Sequence, residues 1–240
     1  MAGLALLDCR HDGMATVMST FETSPHVLRP QQQRSRVALA KIVTAAERLL
    51  RTKGIDGFSM AEVAEAAGLP VGNIYRRFRG KDELLQAIKY DVTARIEDAV
   101  AERLSLDAFK DIADLIRRFA GATCDTFAAD EKLYRTLFSA QTADSAMHRI
   151  GASGRLRIFS RYREALLPFL QGVAPDKADL LARVSFHIIT SAILGKARAL
   201  DEALNDLPWK ALGDEFGRAA LAYLQANLDT VAKQGGSRAK

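Results

Sequence analysis

The sequence predicts an all-α fold, on three observations. No stretch of useful length alternates apolar and polar residues with period two, so no half-buried strand is expected. From Lys81 onward apolar residues recur three and four apart, the spacing of helices with one buried face. Between Ser59 and Phe78 two short helical patterns follow one another with a start signal, a stop signal and a proline in the order that helix ends require.

Residues 1–33 lack periodicity and end in Arg29-Pro30-Gln31-Gln32-Gln33, which predicts an extended or disordered tail. Met14 and Met18 leave the translation start open. The alternative for Arg29, Arg34 and Arg36 is an arm lying against phosphates or in a minor groove. Arg34 to Thr52 then reads as a helix with Leu39, Ile42, Val43, Ala46, Leu49 and Leu50 inward, and Phe58 closes that core after a loop flanked by Gly54 and Gly57.

Ser59 with Glu62 three residues on is a capping box, in which each side chain satisfies an orphan N–H at a helix start. Met60, Val63, Ala64 and Ala67 face inward, and Gly68 supplies the left-handed residue that stops the helix. Pro70 presets φ for a first helical position, so a second helix begins almost at once. On it Ile74 and Phe78 point inward, which places Val71, Gly72, Asn73, Tyr75, Arg76 and Arg77 on or beside the outer surface. Gly72 lets a backbone approach closely. Asn73 can pair with adenine, and the arginines can reach guanine or phosphate. Val71 can touch a thymine methyl, and Tyr75 offers a hydroxyl to a phosphate.

Lys81 to about Arg103 is expected as one long helix striped by Leu84, Leu85, Ile88, Val92, Ile96 and Val100. Asp107 should cap a helix running to about Ala128, with Ile112, Leu115, Ile116, Phe119 and Thr123 inward, and Asp130 a shorter one to Ala140. Gly151 to Gly154 should separate two pieces, the second from Arg155 to Leu170. Pro175-Asp176 opens a helix to about Leu200, and Leu207-Pro208-Trp209 opens the last, which should fade at Gly235-Gly236. These last two carry wide apolar faces, Leu180, Leu181, Val184, Ile188, Ser191 and Ala192 on one and Leu212, Phe216, Ala219, Ala220, Tyr223 and Leu224 on the other. Faces of that width need partners.

The net charge of +5 is unevenly placed: residues 29–91 hold 12 Lys and Arg against 7 Asp and Glu, and the rest of the chain is balanced. Such a concentrated positive field suits a polyanion, with strongly salt-dependent binding.

The run Ala67-Gly68-Leu69-Pro70-Val71-Gly72-Asn73-Ile74-Tyr75-Arg76-Arg77-Phe78, followed by Lys81-Asp82-Glu83-Leu84-Leu85, resembles the signature of TetR-family (TetR/AcrR-like) transcriptional regulators. The likeness is close from about Ser35 to Ile96. Beyond that it extends only to length and helical texture. Two departures stand out: Pro70 where the family usually has a hydroxyl residue, and Val71 where it often has lysine.

The resemblance implies about nine helices. A disordered tail (1–33) precedes a helix-turn-helix domain for double-stranded DNA (34–96, motif 59–78), then a helical effector-binding and dimerisation domain (97–232) and a disordered end (233–240). It implies a cytoplasmic homodimer, most simply a repressor released from a palindromic operator by a small-molecule effector. An activator, or a DNA-binding protein without ligand, is the alternative, and a helical ligand-binding or enzymatic domain a more distant one. The expected DNA contacts are Arg36, Ser59, Val71, Gly72, Asn73, Tyr75, Arg76, Arg77 and Lys81, with Ser59, Tyr75 and Lys81 on phosphates. The helices from about 107 to 200 would enclose the effector, and Phe119, Thr123, Phe127, Tyr134, Phe138, Phe159, Tyr162 and His187 are candidate contacts. Their helical spacing suits a core equally.

Neither catalysis, a metal nor a cofactor is expected. His11, His26, His148 and His187 show no i, i+4 pairing and no neighbouring cysteine pair, and no phosphate loop, nucleophile elbow or dinucleotide fingerprint occurs. Two cysteines, Cys9 and Cys124, make no disulfide framework. The longest apolar run, Val184 to Gly195, is broken by His187 and bounded by Arg183 and Lys196, so a buried helix and not a membrane anchor is expected.

Overall fold

The computed structural model describes residues 33–105, 109–139, 145–198 and 202–237. Among these residues it is all α, with ten α-helices and one 3-10 turn. They are α1 (Gln33–Lys53), α2 (Met60–Ala67), α3 (Val71–Tyr75), α4 (Lys81–Ser105), α5 (Ile112–Ala129), α6 (Glu131–Ser139), α7 (Ser145–Leu166), α8 (Pro175–Ala197), α9 (Glu202–Asn205) and α10 (Trp209–Ser237), the 3-10 turn Leu167–Leu170 following α7. The expectations for residues 1–32 and for Asp107 lie outside the described residues.

The chain forms two compact units, the first ending at Arg95 and the second beginning at Ile96. Helix α4 is continuous through this point. In the first unit Leu39, Ile42, Ala46 and Leu50 of α1 pack with Phe58, Val63, Ile74, Phe78, Leu84 and Ile88 into a core from which water is almost entirely excluded. Glu47 at the edge of this core holds Arg51 at 2.8 Å and also pairs with Arg95, tying α1 to α4.

In the second unit α10 packs against α5 and α8, and α8 also against α7 and α6. Small residues let α5 and α10 approach: a Cβ built on Gly213 would stand 2.9 Å from Cys124 Sγ, closer than packed atoms come. Burial pushes the Cys124 thiol up to about 12, with Asp125 and Asp214 adding to it, so this cysteine packs as a small apolar group. Helix α8 is long and apolar enough to cross a membrane by composition alone. It nevertheless buries Leu181, Phe186, Ile189 and Ile193, together with Ser185 and Lys196, among its neighbours in this unit.

Three local expectations are corrected. Helix α5 starts at Ile112, where Asp111 Oδ1 accepts the Asp114 N–H at 2.7 Å and Asp114 Oδ2 takes that of Lys110 at 3.3 Å, so Asp111 is the cap. Gly151 and Gly154 do not break α7, and neither adopts positive φ. A helical glycine costs only about 1 kcal/mol, and α7 offsets this by burying Ile158, Tyr162 and Leu166 along one face. Helix α10 runs through Gly235-Gly236 to Ser237, past the point where the last helix was expected to fade.

Candidate nucleic-acid interface

The first helix of the motif is built as its sequence requires. Ser59 Oγ accepts the Glu62 N–H at 3.2 Å while Glu62 Oε2 takes the Ser59 N–H at 2.7 Å, completing the capping box. Lys53 donates to the other carboxylate oxygen at 2.5 Å, and this bond, with those from Ser59, lowers the Glu62 carboxyl from 4.5 to about 2. Gly68 ends the helix at φ 64°, a left-handed conformation that costs a residue with a Cβ about 1–2 kcal/mol. Its N–H and that of Leu69 return to Glu65 and Ala64 carbonyls, both at 3.0 Å.

Pro70 stands one position earlier than expected. With φ −58° and ψ 139° it occupies the cap of α3, where it offers no side-chain acceptor, and Val71 is the first helical residue. Helix α3 is only five residues long, but Phe78 N–H still reaches Ile74 O at 2.9 Å. Ile74 and Phe78 are fully buried, which fixes the inward side.

The opposite side is displayed. Val71 is 44% and Tyr75 52% exposed, Gly72 and Arg76 are exposed, and Asn73 is half-buried. A Cβ on Gly72 would meet nothing within 4 Å, so the open space there belongs to whatever approaches from outside. Asn73 Oδ1 accepts Arg76 Nη2 at 2.5 Å, holding that guanidinium along the helix surface. Arg36 is exposed on α1.

Arg77 does not join this face. It is only 8% exposed and turns inward, Nη1 donating to Asn73 O at 3.0 Å and Nη2 to Ser35 O at 3.0 Å and Ser35 Oγ at 2.7 Å. Desolvation first, and then the neighbouring Arg76, push its guanidinium below the usual range. The fourth residue after Asn73 comes back over the inner side of a short helix, and the start of α1 supplies acceptors there. Arg77 is a brace between α1 and α3.

Lys81 is also committed inward. Its ammonium donates to Phe58 O at 2.6 Å and lies 4.3 Å from the centre of the Phe58 ring, fastening the first turn of α4 to the loop before α2. Two of its three N–H donors are left for an outside acceptor. Ser59 is exposed, though its hydroxyl is occupied by the cap.

Sequence reasoning missed Arg79, whose side chain is 87% exposed beside Glu83 and which continues the basic run of Arg76 and Arg77. It also missed Ser35, which no local pattern marks.

The candidate effector residues fall into two aromatic groups inside the second unit. Phe119 lies 4.6 Å from Tyr162 and 5.6 Å from Phe186, with Phe159 5.2 Å from Phe186. Tyr162 OH bonds Ser185 Oγ at 2.8 Å, and burial raises its phenol despite that bond. The other group joins Phe127, Tyr134 and Phe138 to Trp209, whose indole N–H donates to Glu131 at 3.0 Å. Phe119, Phe127, Tyr134 and Tyr162 are at most 3% exposed, and Thr123, also buried, donates back to Phe119 O at 2.9 Å. His187 is exposed, away from both interiors. Phe186, whose helical spacing likewise suits a core or a pocket lining, completes the first group, and Trp209 and Glu131, which were not among the expected residues, complete the second. Among the described residues no group of three or more metal-ligating side chains converges.

A capped helix, a left-handed glycine turn and a short helix with one dry and one displayed side define a helix-turn-helix protein. Residues 42–88 match the family model described as bacterial regulatory proteins, tetR family. The HTH-type transcriptional regulator TtgR of Pseudomonas putida is 36% identical over 62 residues, which cover 26% of this chain and 30% of that relative. Solved structures share the fold over about four fifths of the chain. A TetR-family transcriptional regulator from Streptomyces coelicolor superposes with a TM-score of 0.64 at 17% identity, over 83% of this chain and 85% of that one. The regulator FadR of Bacillus subtilis, solved with stearoyl-CoA, gives 0.56 at 14% identity, over 76% and 97%. The likeness in sequence to tetR-family regulators is confined to the helix-turn-helix unit, and the matched stretch spans about a third of the curated relatives' length.

Proposed function

We propose that the protein is a homodimeric, ligand-responsive transcription regulator, a repressor released from a palindromic operator by a small-molecule effector, acting in the cytoplasm. The observation that carries this reading is the two-sidedness of α3: Ile74 is fully buried, while Val71, Gly72, Tyr75 and Arg76 face outward at the end of the chain where the positive charge is concentrated. In the complex Asn73 and Arg76 read bases, Val71 meets a thymine methyl, and Tyr75 and Arg36 hold phosphates. Lys81 adds a phosphate contact through its remaining donors, at a helix start where the backbone also favours an anion. Ser59 offers its exposed edge. Arg77 orders this surface from behind.

Dimerisation uses the outer faces of α8 and α10. Leu181, Ala192, Leu212, Ala220 and Leu224 are spent on the unit's own core, but Leu180 is 49% exposed, and Val184, Ile188, Phe216 and Tyr223 are half-covered. Two copies joined there present two α3 helices, and a spacing of about 34–36 Å fits successive major grooves. The effector acts through the second unit, a reading supported by the FadR relative solved with stearoyl-CoA. Ligand binding tilts α4 and changes the α3 separation; a coupling of about 1–3 kcal/mol weakens operator affinity roughly 5- to 150-fold.

A gel-shift titration of the purified full chain against DNA upstream of its own gene tests the core of this reading. A shift that weakens steeply with salt is expected. No shift at any salt would sink it.

A further inference from the structure

Arg155 of α7 differs from the arginines beside it. On the same helix Arg157 is paired with Glu97 at 2.6 Å and Arg163 with Asp179 at 3.0 Å. Arg155 is half-buried, and among the described residues its guanidinium meets no carboxylate. Instead Nη2 lies 3.1 Å from His187 Nδ1 and donates to Thr190 Oγ1 at 3.2 Å, both on α8. Thr190 is 7% exposed, and its hydroxyl donates to Phe186 O at 2.8 Å, which leaves its lone pairs facing Arg155. The guanidinium carbon stands 5.7 Å from the centre of the Phe186 ring, and Phe159, half-exposed, packs on the same ring at 5.2 Å.

A second positive charge is close. Arg198, the cap at the end of α8, repels Arg155, and this repulsion adds to the larger effect of burial in lowering the Arg155 guanidinium below its usual range. Among the described residues neither guanidinium meets a carboxylate, and two such charges beside aromatic rings are an arrangement that a bound anion relieves. The negative end of α8 offsets only about half a charge. The apolar floor selects a carboxylate attached to an aromatic or short aliphatic body over an inorganic ion.

We propose that Arg155 and Arg198, with Thr190 and His187, form the head of a binding site for a small organic acid, whose apolar part lies against Phe159, the half-exposed ring packed on the buried Phe186. This deepens the reading of the second unit as the effector-binding part, but the binding itself can be measured without DNA.

The experiment is calorimetric titration of the full chain with benzoate, and with uncharged benzamide as its control. Saturable benzoate binding with no benzamide binding is expected, weakened roughly ten- to hundredfold in Arg155→Gln by the loss of a charge-assisted bond. Arg198→Gln, at an exposed position, gives a second reading if Arg155→Gln fails to fold, and should weaken binding in the same sense. Equal binding of benzoate by wild type and Arg198→Gln, or no heat up to the solubility limit of benzoate, overturns the proposal. So does a loss of dimer by sedimentation in either variant with benzoate binding unchanged, since the arginines would then serve a carboxylate on the second copy. Gel shifts with and without benzoate separate this outcome from the DNA-binding reading: benzoate binding with no operator complex leaves the site standing and removes the regulator.

Discussion

The two units divide their polar and apolar residues in opposite ways around the positions that matter. In the first, a five-residue helix buries Ile74 completely and turns Val71, Gly72, Tyr75 and Arg76 outward, so the candidate surface is exposed by construction. In the second, six of the eight candidate effector residues are aromatic, and four of these are at most 3% exposed, packed ring on ring within 6 Å of one another in two groups. A DNA-binding surface needs only a rigid back, whereas an interior site must be opened at the expense of packing. The first unit can therefore be stable and competent together; the proposed effector site in the second would exchange one for the other.

The largest expected effect tests the second half of this contrast. Phe119→Ala removes a fully buried ring from between Tyr162 and Phe186, and a truncation of this kind costs about 3–5 kcal/mol. Urea unfolding should show the midpoint fall with little change in slope. A loss below about 1 kcal/mol, with operator release by effector abolished, would instead place Phe119 on a cavity wall, and the contrast between the units would fail.

Next in size is a comparison of neighbours. Arg77→Ala leaves the carbonyls of Ser35 and Asn73 without their donor, a cost of about 1–3 kcal/mol in stability. Arg76→Ala should change stability by less than about 0.5 kcal/mol and yet cost roughly 1–3 kcal/mol in operator binding, concentrated at particular base pairs. Thermal melts and a binding series over operator variants separate the two. If Arg77→Ala melted like wild type and lost base selectivity, Arg77 would be a reader and not a brace.

How far the sequence can be read follows the same division. The capping box at Ser59 and Glu62, the left-handed Gly68 and the inward pair Ile74 and Phe78 are local: each depends on residues at most four apart, and each forms as the spacing predicts. Arg77 was misplaced because its acceptors lie on Ser35, 42 residues earlier, and no periodicity carries that contact. Gly151 and Gly154 were misjudged because two glycine penalties are small against the burial of Ile158, Tyr162 and Leu166. Arg155 was not singled out at all. In a helix with many arginines, only tertiary packing tells which one is half-buried without a carboxylate among the described residues.

Two smaller effects sharpen the local side of the contrast. Ser59→Ala should cost about 1 kcal/mol by removing the acceptor for the Glu62 N–H, measurable by thermal melting with no change in the second unit's packing. Glu62 answers to pH. Its folded carboxyl titrates near 2 against an ordinary 4.5, so its contribution is complete above 4.5 and is lost as the pH falls from there toward 2. The group and its partner Lys53 are both exposed enough for solvent to screen the pair, so the effect is the smallest of the set. Melting temperatures of wild type and Glu62→Gln should differ above 4.5 and converge on acidification through this window. A gap that stayed constant down to pH 2 would mean that the charge is irrelevant and that the box holds through its hydrogen-bond geometry alone.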